Sequence, residues 1–316
     1  MKKLFGVLLV VLLAVTVMGC SKPAEKKSAD VGTYTVGFIV GSYEHMFYNL
    51  VGEGIEAKCA ELGIKAIMLD GELDANVQSN HIENLVAEKV NAIALATVDA
   101  AGVKPAIEAA DKSGIPVFTF DSPCFGTNVI KCHAGTDNVE GGRLGAREVL
   151  RLVAPGSTVA MIGNPASSSV LDRQQGFEEV IKAQDSVKYA FFGNYQGDAT
   201  VAASLMQDWV TADPNLAAVF CGGDPAATGA LSSIKSAGAK TLVVGYDGNP
   251  EAIAAIKAQS GDGRWWVSEI SQNPNLIGST IVEQIKKYLD TGSVDSPLIP
   301  IAPYIITYQY IQDNNL

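Results

Sequence analysis

The chain has 316 residues, and its 34 acidic side chains outnumber its 23 basic ones, for a formal net charge of −11. An acidic surface argues against nucleic acids and anionic membranes as partners. A chain of this length is long for one hydrophobic core and predicts two lobes.

The first residues have the pattern of a bacterial export signal. Lys2 and Lys3 precede an apolar run of about fifteen residues, shorter than the roughly 20 that a membrane span needs. The run ends in V17-M-G-C20, which is similar to a lipoprotein cleavage site. We expect residues 1–19 to be a lipoprotein signal peptide, Cys20 to carry lipid at the periplasmic or outer face of a membrane, and residues 20–33 to be a flexible tether. A simple signal peptide with an incidental cysteine is the alternative.

From Tyr34 onward, short apolar strands alternate with amphipathic helical patterns. In the first half, strands are predicted to begin at Tyr34, Ile64, Ala92, Val117 and Val129, with helices over 53–62, 76–88, 103–113 and 138–153. In the second half, strands begin at Thr158, Val187, Ala217, Leu242 and Trp265, with helices over 171–183, 198–211, 226–236 and 250–258. Two sets of five such strands predict an α/β fold of two doubly wound parallel-sheet lobes.

Two of these strands run directly into an aspartate. The stretches V117-F-T-F-D121-S-P and V243-V-G-Y-D247-G-N-P place Asp121 and Asp247 at carboxyl ends of strands, one in each lobe. Ligands of open parallel sheets bind outside these ends, so facing lobes would bring both carboxylates into one cleft. The alternatives are a helix cap or turn at Asp121 and an Asx turn at Asp247.

The cysteines and catalytic motifs argue against a metal centre or an enzyme. No CxxC pair occurs among Cys59, Cys124, Cys132 and Cys221. The spacing of Cys124 and Cys132 allows a disulfide in an exported protein, and it equally allows two buried thiols. Hydrolase, metalloprotease and phosphate-loop motifs are missing, so we predict no catalysis, no metal and no cofactor. Paired carboxylates in a cleft are the one feature shared with glycosidases.

Seven motifs in order resemble the periplasmic sugar-binding proteins of ABC importers, of the ribose/galactose-binding type. They are V36-G-F-I-V with Phe47 and Tyr48, G114-I-P-V-F-T-F-D121, G135-T-D-N-V-E-G-G-R-L-G145, D172-R-Q-Q-G-F177, A218-V-F-C-G-G-D224, V243-V-G-Y-D-G248 and Q272-N-P-N-L-I-G278. The resemblance implies the class I periplasmic binding protein fold. Residues 34–136 and 273–302 would form the N-terminal lobe, residues 137–272 and 303–316 the C-terminal lobe, and three crossing segments the hinge.

The resemblance implies a monomer that closes around one monosaccharide or sugar alcohol and delivers it to a membrane permease. A nucleoside or autoinducer-type ligand on the same scaffold is an alternative. A sensory role, presenting the ligand to a chemoreceptor or sensor kinase, is another. A repressor of related fold is not expected, because an export signal stands where a DNA-binding segment would be.

The resemblance also implies which side chains bind the ligand. They are Asp121, Asp247, Arg173, Gln272, Phe47, Tyr48 and His45, with Tyr246 and Asp224 as further candidates. Without the resemblance, Arg173 would be interpreted as a surface arginine, and Gln272 and His45 as solvated loop residues. Phe47 and Tyr48 would be interpreted as residues of the hydrophobic core.

Four positions depart from the ribose-binding pattern. Ser122 replaces an arginine, Ala96 and Gly223 replace amide side chains, and Gly197 replaces an aromatic residue that Tyr195 could substitute. These departures argue against ribose itself and leave the class of hydroxyl-rich small molecules.

Overall fold

A computed structural model describes residues 34–316, and the expected signal peptide, Cys20 and tether lie outside the described residues. The strands are β1 (Thr35–Val40), β2 (Lys65–Asp70), β3 (Ala92–Leu95), β4 (Val117–Phe120), β5 (Ile130–Thr136), β6 (Thr158–Gly163), β7 (Lys188–Asn194), β8 (Leu216–Cys221), β9 (Leu242–Asp247), β10 (Trp266–Ser271), β11 (Leu298–Ile301) and β12 (Tyr304–Thr307). The helices are α1 (Met46–Leu62), α2 (Ala75–Ala87), α3 (Ala100–Lys112), α4 (Asn138–Leu152), α5 (Ser168–Ile181), α6 (Ala199–Ala212), α7 (Asp224–Ala237), α8 (Pro250–Ala258), α9 (Pro274–Thr291) and α10 (Tyr308–Asn314), with a 3-10 helix at Gly261–Arg264. Within this range no helix is long and apolar enough to cross a membrane.

The strands form two six-stranded sheets, one in each lobe. The order is β11-β5-β4-β3-β1-β2 in the N-terminal lobe and β12-β10-β9-β8-β6-β7 in the C-terminal lobe. All neighbours are parallel except β12, which runs antiparallel to β10. The predicted α/β class with two doubly wound lobes is therefore confirmed. Each sheet has six strands rather than the five predicted, because the C-terminal segment adds one edge strand to each.

The chain passes between the lobes three times: from β5 to α4, from β10 to α9, and from β11 to β12. The three passages are hydrogen-bonded to one another. The Asp137 amide donates to the Ile301 carbonyl at 3.0 Å, and the Thr136 hydroxyl donates to Gln272 Oε1 at 2.9 Å. These contacts form one narrow hinge beside the carboxyl ends of the strands.

Each sheet is covered by helices on both faces. Alternate residues of a strand point to opposite faces, so Phe38 packs with the cluster under α1 and α9 while Ile39 packs with that under α2 and α3. Cys132 belongs to the first of these clusters and Cys124 to the second. Because a sheet separates them, the disulfide alternative is excluded. All four cysteines of the described residues are free and buried.

The start of α1 differs from the sequence prediction. The helix begins at Met46, seven residues before the predicted Glu53, so its first turn contains Phe47 and Tyr48. Gly52 and Gly54 weaken the helical signal in this region. Gly54 is required by packing, since a Cβ there would lie 2.2 Å from the Asn275 carbonyl oxygen of α9.

Candidate functional site

Both strand-end aspartates have a backbone conformation that side-chain-bearing residues rarely adopt. Asp121 follows β4 with φ of 58°, and Asp247 ends β9 with φ of 126°. Such positive φ values cost about 1–3 kcal/mol and are concentrated at functional sites. In each lobe the chain turns sharply as it leaves the sheet, and the acid lies at that turn.

The two aspartates line one cavity of about 330 Å³ between the lobes. The N-terminal lobe contributes His45, Phe47, Tyr48, Leu73, Asp121 and Ser122, the C-terminal lobe Asn164, Ser167, Ser169, Arg173 and Asp247, and the hinge Gln272. The cavity therefore collects seven of the nine candidate ligand-binding residues.

The two carboxylate oxygens of Asp121 differ in their hydrogen bonding. The hydroxyls of Tyr48 and Ser122 both donate to its Oδ2 at 2.9 Å. Its Oδ1 receives no hydrogen bond from residues 34–316. Burial raises the pKa of Asp121, whereas the two hydroxyls and the charge of Arg173 lower it. Burial also raises the pKa of Tyr48 well above its usual value, so this phenol keeps its proton and remains a donor.

Asp247 is the most heavily hydrogen-bonded carboxylate of the cavity. Its Oδ1 accepts from Gln272 Nε2 at 2.6 Å and lies 3.5 Å from Arg173 Nη1. Its Oδ2 accepts from the Asp224 amide at 3.1 Å. Burial raises the pKa of Asp247, and the guanidinium, the amide and the glutamine side chain lower it. These contacts fix the orientation of the Asp247 carboxylate in the cavity.

Arg173 is buried, with 4% of its surface exposed, and its guanidinium is held by hydrogen bonds and a cation–π contact. Its Nε donates to Asn138 Oδ1 at 2.8 Å and its Nη1 to the Gly222 carbonyl at 2.7 Å. The guanidinium carbon lies 3.8 Å from the centroid of the Tyr246 ring, a cation–π contact. Gly141 makes room for this ring, since a Cβ there would lie 2.1 Å from the Tyr246 hydroxyl.

Tyr246 and Asp224, the two remaining candidates, lie behind the cavity wall. Tyr246 is fully buried beneath Arg173, and its hydroxyl donates to Asn138 Oδ1 at 3.3 Å. Asp224 begins α7, is 6% exposed, and holds Asp247 through its backbone amide. The structure thus gives both residues contacts to cavity-lining residues rather than a place in the lining itself.

Residues 36–293 match the family described as the periplasmic binding protein domain. The chain belongs to this family. The resemblance inferred from the seven motifs is therefore confirmed. Members of the family are binding proteins for transport rather than enzymes, as predicted.

Relatives of this binding protein span nearly its whole length. The ribose import binding protein RbsB of Bacillus subtilis is 29% identical over 288 residues, covering 90% of this chain and 92% of that protein. The D-apiose import binding protein of Actinobacillus succinogenes is 28% identical over 266 residues, covering 82% of this chain and 83% of that protein. The Caulobacter myo-inositol binding protein, solved with myo-inositol bound, is 25% identical with a TM-score of 0.78, covering 90% of this chain and 96% of that chain.

The rim of the binding protein's cavity is aromatic on the N-terminal lobe. Phe47 and Tyr48 pack edge-to-face, with centroids 5.2 Å apart and planes at 73°. His45 precedes them at the N-cap of α1, where its exposed side chain makes no capping hydrogen bond. Two aromatic rings and an imidazole therefore belong to the part of the cavity lining that the N-terminal lobe contributes.

Sequence reasoning missed three polar residues of the C-terminal lobe. Asn164 follows β6 directly, and its Oδ1 is buried without a hydrogen-bond partner among residues 34–316. Ser167 and Ser169 follow it, with their hydroxyl oxygens 3.1 Å apart. The signal was present in the sequence, because Asn164 occupies the same strand-end position in T158-V-A-M-I-G-N164 that identified the aspartates.

A second cavity of about 480 Å³ adjoins the first. The two share Asp121 and Ser169, but the second has an apolar side formed by Pro123, Phe125 and Leu298. Phe125 is 63% exposed. The second cavity thus places unoccupied volume and the exposed phenyl ring of Phe125 beside Asp121.

Proposed function

We propose that this protein captures one uncharged monosaccharide or sugar alcohol between its two lobes and delivers it to an ABC importer. The observation that carries the proposal is the pair Asp121 and Asp247, which come from different lobes and line a single cavity. Family membership and the similarity to ribose and D-apiose import binding proteins support the same class of ligand.

The chemistry of the cavity fits a ligand with several hydroxyl groups. A carboxylate accepts hydrogen bonds from hydroxyls, each contributing about 1.5–3 kcal/mol when charge-assisted. Oδ1 of Asp121 and Oδ1 of Asn164 are acceptors without donors from residues 34–316. The Phe47 and Tyr48 rings can cover the C–H face of a sugar.

The charge of the cavity selects against anions. Asp121 and Asp247 provide two carboxylates against the single guanidinium of Arg173. An anionic ligand would therefore enter a site of net negative charge, at low effective dielectric. We expect uncharged sugars and polyols to bind, and sugar acids and sugar phosphates to be rejected.

Membrane attachment and partners complete the proposal. Lipid on Cys20 would hold the monomer at the outer face of a membrane, and the ligand-closed form would dock on the permease. The motif V17-M-G-C20 and the names of the relatives as import binding proteins support this arrangement.

One observation favours a second candidate ligand, a nucleoside. The second cavity places the exposed Phe125 ring and the apolar Pro123 and Leu298 next to Asp121. A ribose hydroxyl on Asp121 with the base stacked on Phe125 would use both cavities.

A thermal-shift panel tests both candidates on the chain from Ser21 onward. The panel contains pentoses, hexoses, polyols, nucleosides, a sugar acid and a sugar phosphate. A ligand at 100 times its Kd stabilises the native state by about 2.7 kcal/mol, a clear rise in Tm. A shift with one uncharged sugar or polyol supports the proposal, a shift with a nucleoside alone supports the second candidate, and a shift with the anionic sugars alone overturns both.

A further inference from the structure

The loop between β2 and α2 contains two consecutive side-chain-bearing residues with a left-handed backbone. The φ angle is 51° at Glu72 and 52° at Leu73. This conformation brings Cβ too close to the following carbonyl oxygen, so that glycine adopts it freely and leucine rarely does. Within residues 34–316 no other two adjacent residues with side chains have positive φ. Strained backbone of this kind persists only where the surrounding structure imposes it, and it is concentrated at functional sites.

Hydrogen bonds impose this conformation on the loop. The Leu73 amide donates to the Gly41 carbonyl at 3.0 Å, and the Glu72 amide donates to Asp70 Oδ1 at 2.9 Å. The same Asp70 oxygen lies 3.4 Å from the Tyr43 amide nitrogen. The loop is therefore attached to the segment that joins β1 to α1, which also leads into the aromatic rim of the ligand cavity.

The strained loop places Leu73 at the ligand cavity. Leu73 lines the cavity of about 330 Å³ that contains Asp121 and Asp247, and it is 54% exposed. A single exposed leucine needs no functional explanation by itself. Leu73 differs from such a residue because a strained backbone holds it in the lining of the ligand cavity, whereas the equally strained Glu72 lies outside that lining.

The two lobes contribute different chemistry to this cavity. The side chains from the C-terminal lobe are all polar: Asn164, Ser167, Ser169, Arg173 and Asp247. The apolar surface comes from the N-terminal lobe, as Phe47, Leu73 and the ring of Tyr48. A ligand that fits both lobes therefore presents hydroxyl groups to the C-terminal lobe and C–H surface to the N-terminal lobe.

We propose that Leu73 is a ligand-binding residue, whose side chain is buried against the C–H surface of the ligand when the lobes close. The inference rests on the proposed function and adds a residue to its site. Closure removes the exposed half of the leucine side chain from water, so its burial contributes to affinity through the hydrophobic effect. The strained backbone keeps the side chain in place before the ligand arrives.

Three variants separate the side chain from the strain. Leu73→Gly removes the side chain and relieves the strain at once. Glu72→Gly is the matched control, because it relieves the same strain at an exposed neighbouring residue outside the cavity lining. Leu73→Met keeps an apolar side chain of similar size.

Thermal unfolding of the chain from Ser21 onward tests the strain without a ligand. Both glycine variants should unfold at the wild-type Tm or about 1–3 °C above it, because glycine adopts positive φ without strain. A Tm of Leu73→Gly clearly below those of the wild type and Glu72→Gly would show that the leucine stabilises the fold, and it would overturn the proposal.

Calorimetric titration with the ligand from the panel, at several temperatures, tests the binding role. Leu73→Gly should raise Kd about five- to tenfold and make the heat-capacity change of binding less negative, because less apolar surface is buried. Glu72→Gly and Leu73→Met should keep Kd within about threefold of the wild-type value, with the wild-type heat-capacity change. Wild-type Kd and heat-capacity change in Leu73→Gly would overturn the inference and leave the proposed function intact. If nothing in the panel binds the wild type, the proposed function fails together with the binding role of Leu73, and the unfolding experiment still decides whether the loop is strained.

Discussion

The side-chain amide of Gln272 joins the carboxylate of Asp247 to the hinge. Its Nε2 donates to Asp247 Oδ1 at 2.6 Å, and its Oε1 accepts from the Thr136 hydroxyl at 2.9 Å. Thr136 ends β5 in the N-terminal lobe, so one amide connects two of the three crossings with a carboxylate of the cavity lining. The orientation of Asp247 therefore depends on hinge geometry.

Replacing Gln272 by Ala should weaken ligand binding about tenfold. Asp247 would lose a charge-assisted hydrogen bond of roughly 1.5–3 kcal/mol, and its carboxylate would no longer be held against the hinge. Isothermal titration calorimetry measures the change. Gln284→Ala is the matched control, because Gln284 is also buried but bonds to Asp295, away from the cavity. Equal weakening in both variants would argue against a specific role for Gln272.

Removing the Tyr48 hydroxyl should weaken binding about three- to tenfold. Tyr48→Phe keeps the ring and its packing on Phe47 but leaves Asp121 Oδ2 with only the Ser122 donor. A hydrogen bond to a charged group contributes about 1.5–3 kcal/mol, part of which water can replace in the open cleft. Tyr43→Phe, at the start of the same region but outside the cavity lining, should bind as the wild type does.

Arg173→Met should destabilise the fold as well as the site. The substitution leaves Asp247 as a buried charge without its cation and removes the donors to Asn138 and the Gly222 carbonyl. Breaking a buried pair in this way costs about 3–5 kcal/mol, which urea unfolding would detect. Arg147→Met removes a half-exposed ion pair with Glu140 and should have little effect. A comparable loss in the two variants would contradict the structural role of Arg173.

His133 should make the protein less stable in mild acid. Burial lowers the pKa of His133 from 6.5 to about 4, although the contact with Thr119 raises it. Between these values the unfolded chain binds a proton that the folded protein does not, so stability present above pH 6.5 is lost as the pH falls towards 4. The slope from this residue is about 1.4 kcal/mol per pH unit. Urea unfolding across this range should show that His133→Gln removes the slope and that His45→Gln, at an exposed position, does not; a slope that persists in His133→Gln would assign it elsewhere.

Topology made part of the site predictable from sequence. Apolar strands that alternate with helices imply parallel sheets, and ligands lie at the carboxyl ends of such strands. Asp121 and Asp247 therefore follow from local patterns, and Asn164 could have been found in the same way. The edge strands β11 and β12 escaped prediction because they are short and largely uncovered, as the exposed Leu298 shows.

Which side chain faces the cavity could not be predicted, because it depends on packing between distant elements. Tyr246 precedes a cavity-lining aspartate, yet its ring turns back into the space that Gly141 leaves open in α4. Asp224 also follows a strand end, but its carboxylate accepts from the Asn249 amide at 3.2 Å and lies outside the cavity lining. In both cases the side chain is positioned by a residue far away in sequence. The strand-end motif therefore identified the position of each residue but could not predict whether its side chain points into the cavity.

The most direct test is the ligand affinity of Asp121→Ala, Asp247→Ala and the double variant, measured by calorimetry with the ligand from the panel. If one ligand is held by both lobes, each single substitution should raise Kd at least tenfold, and the double variant should show no detectable binding. Asp74→Ala, which removes an exposed cap of α2, should bind normally. Wild-type affinity in both single variants, with folding intact, would contradict the assignment of this cavity as the ligand site.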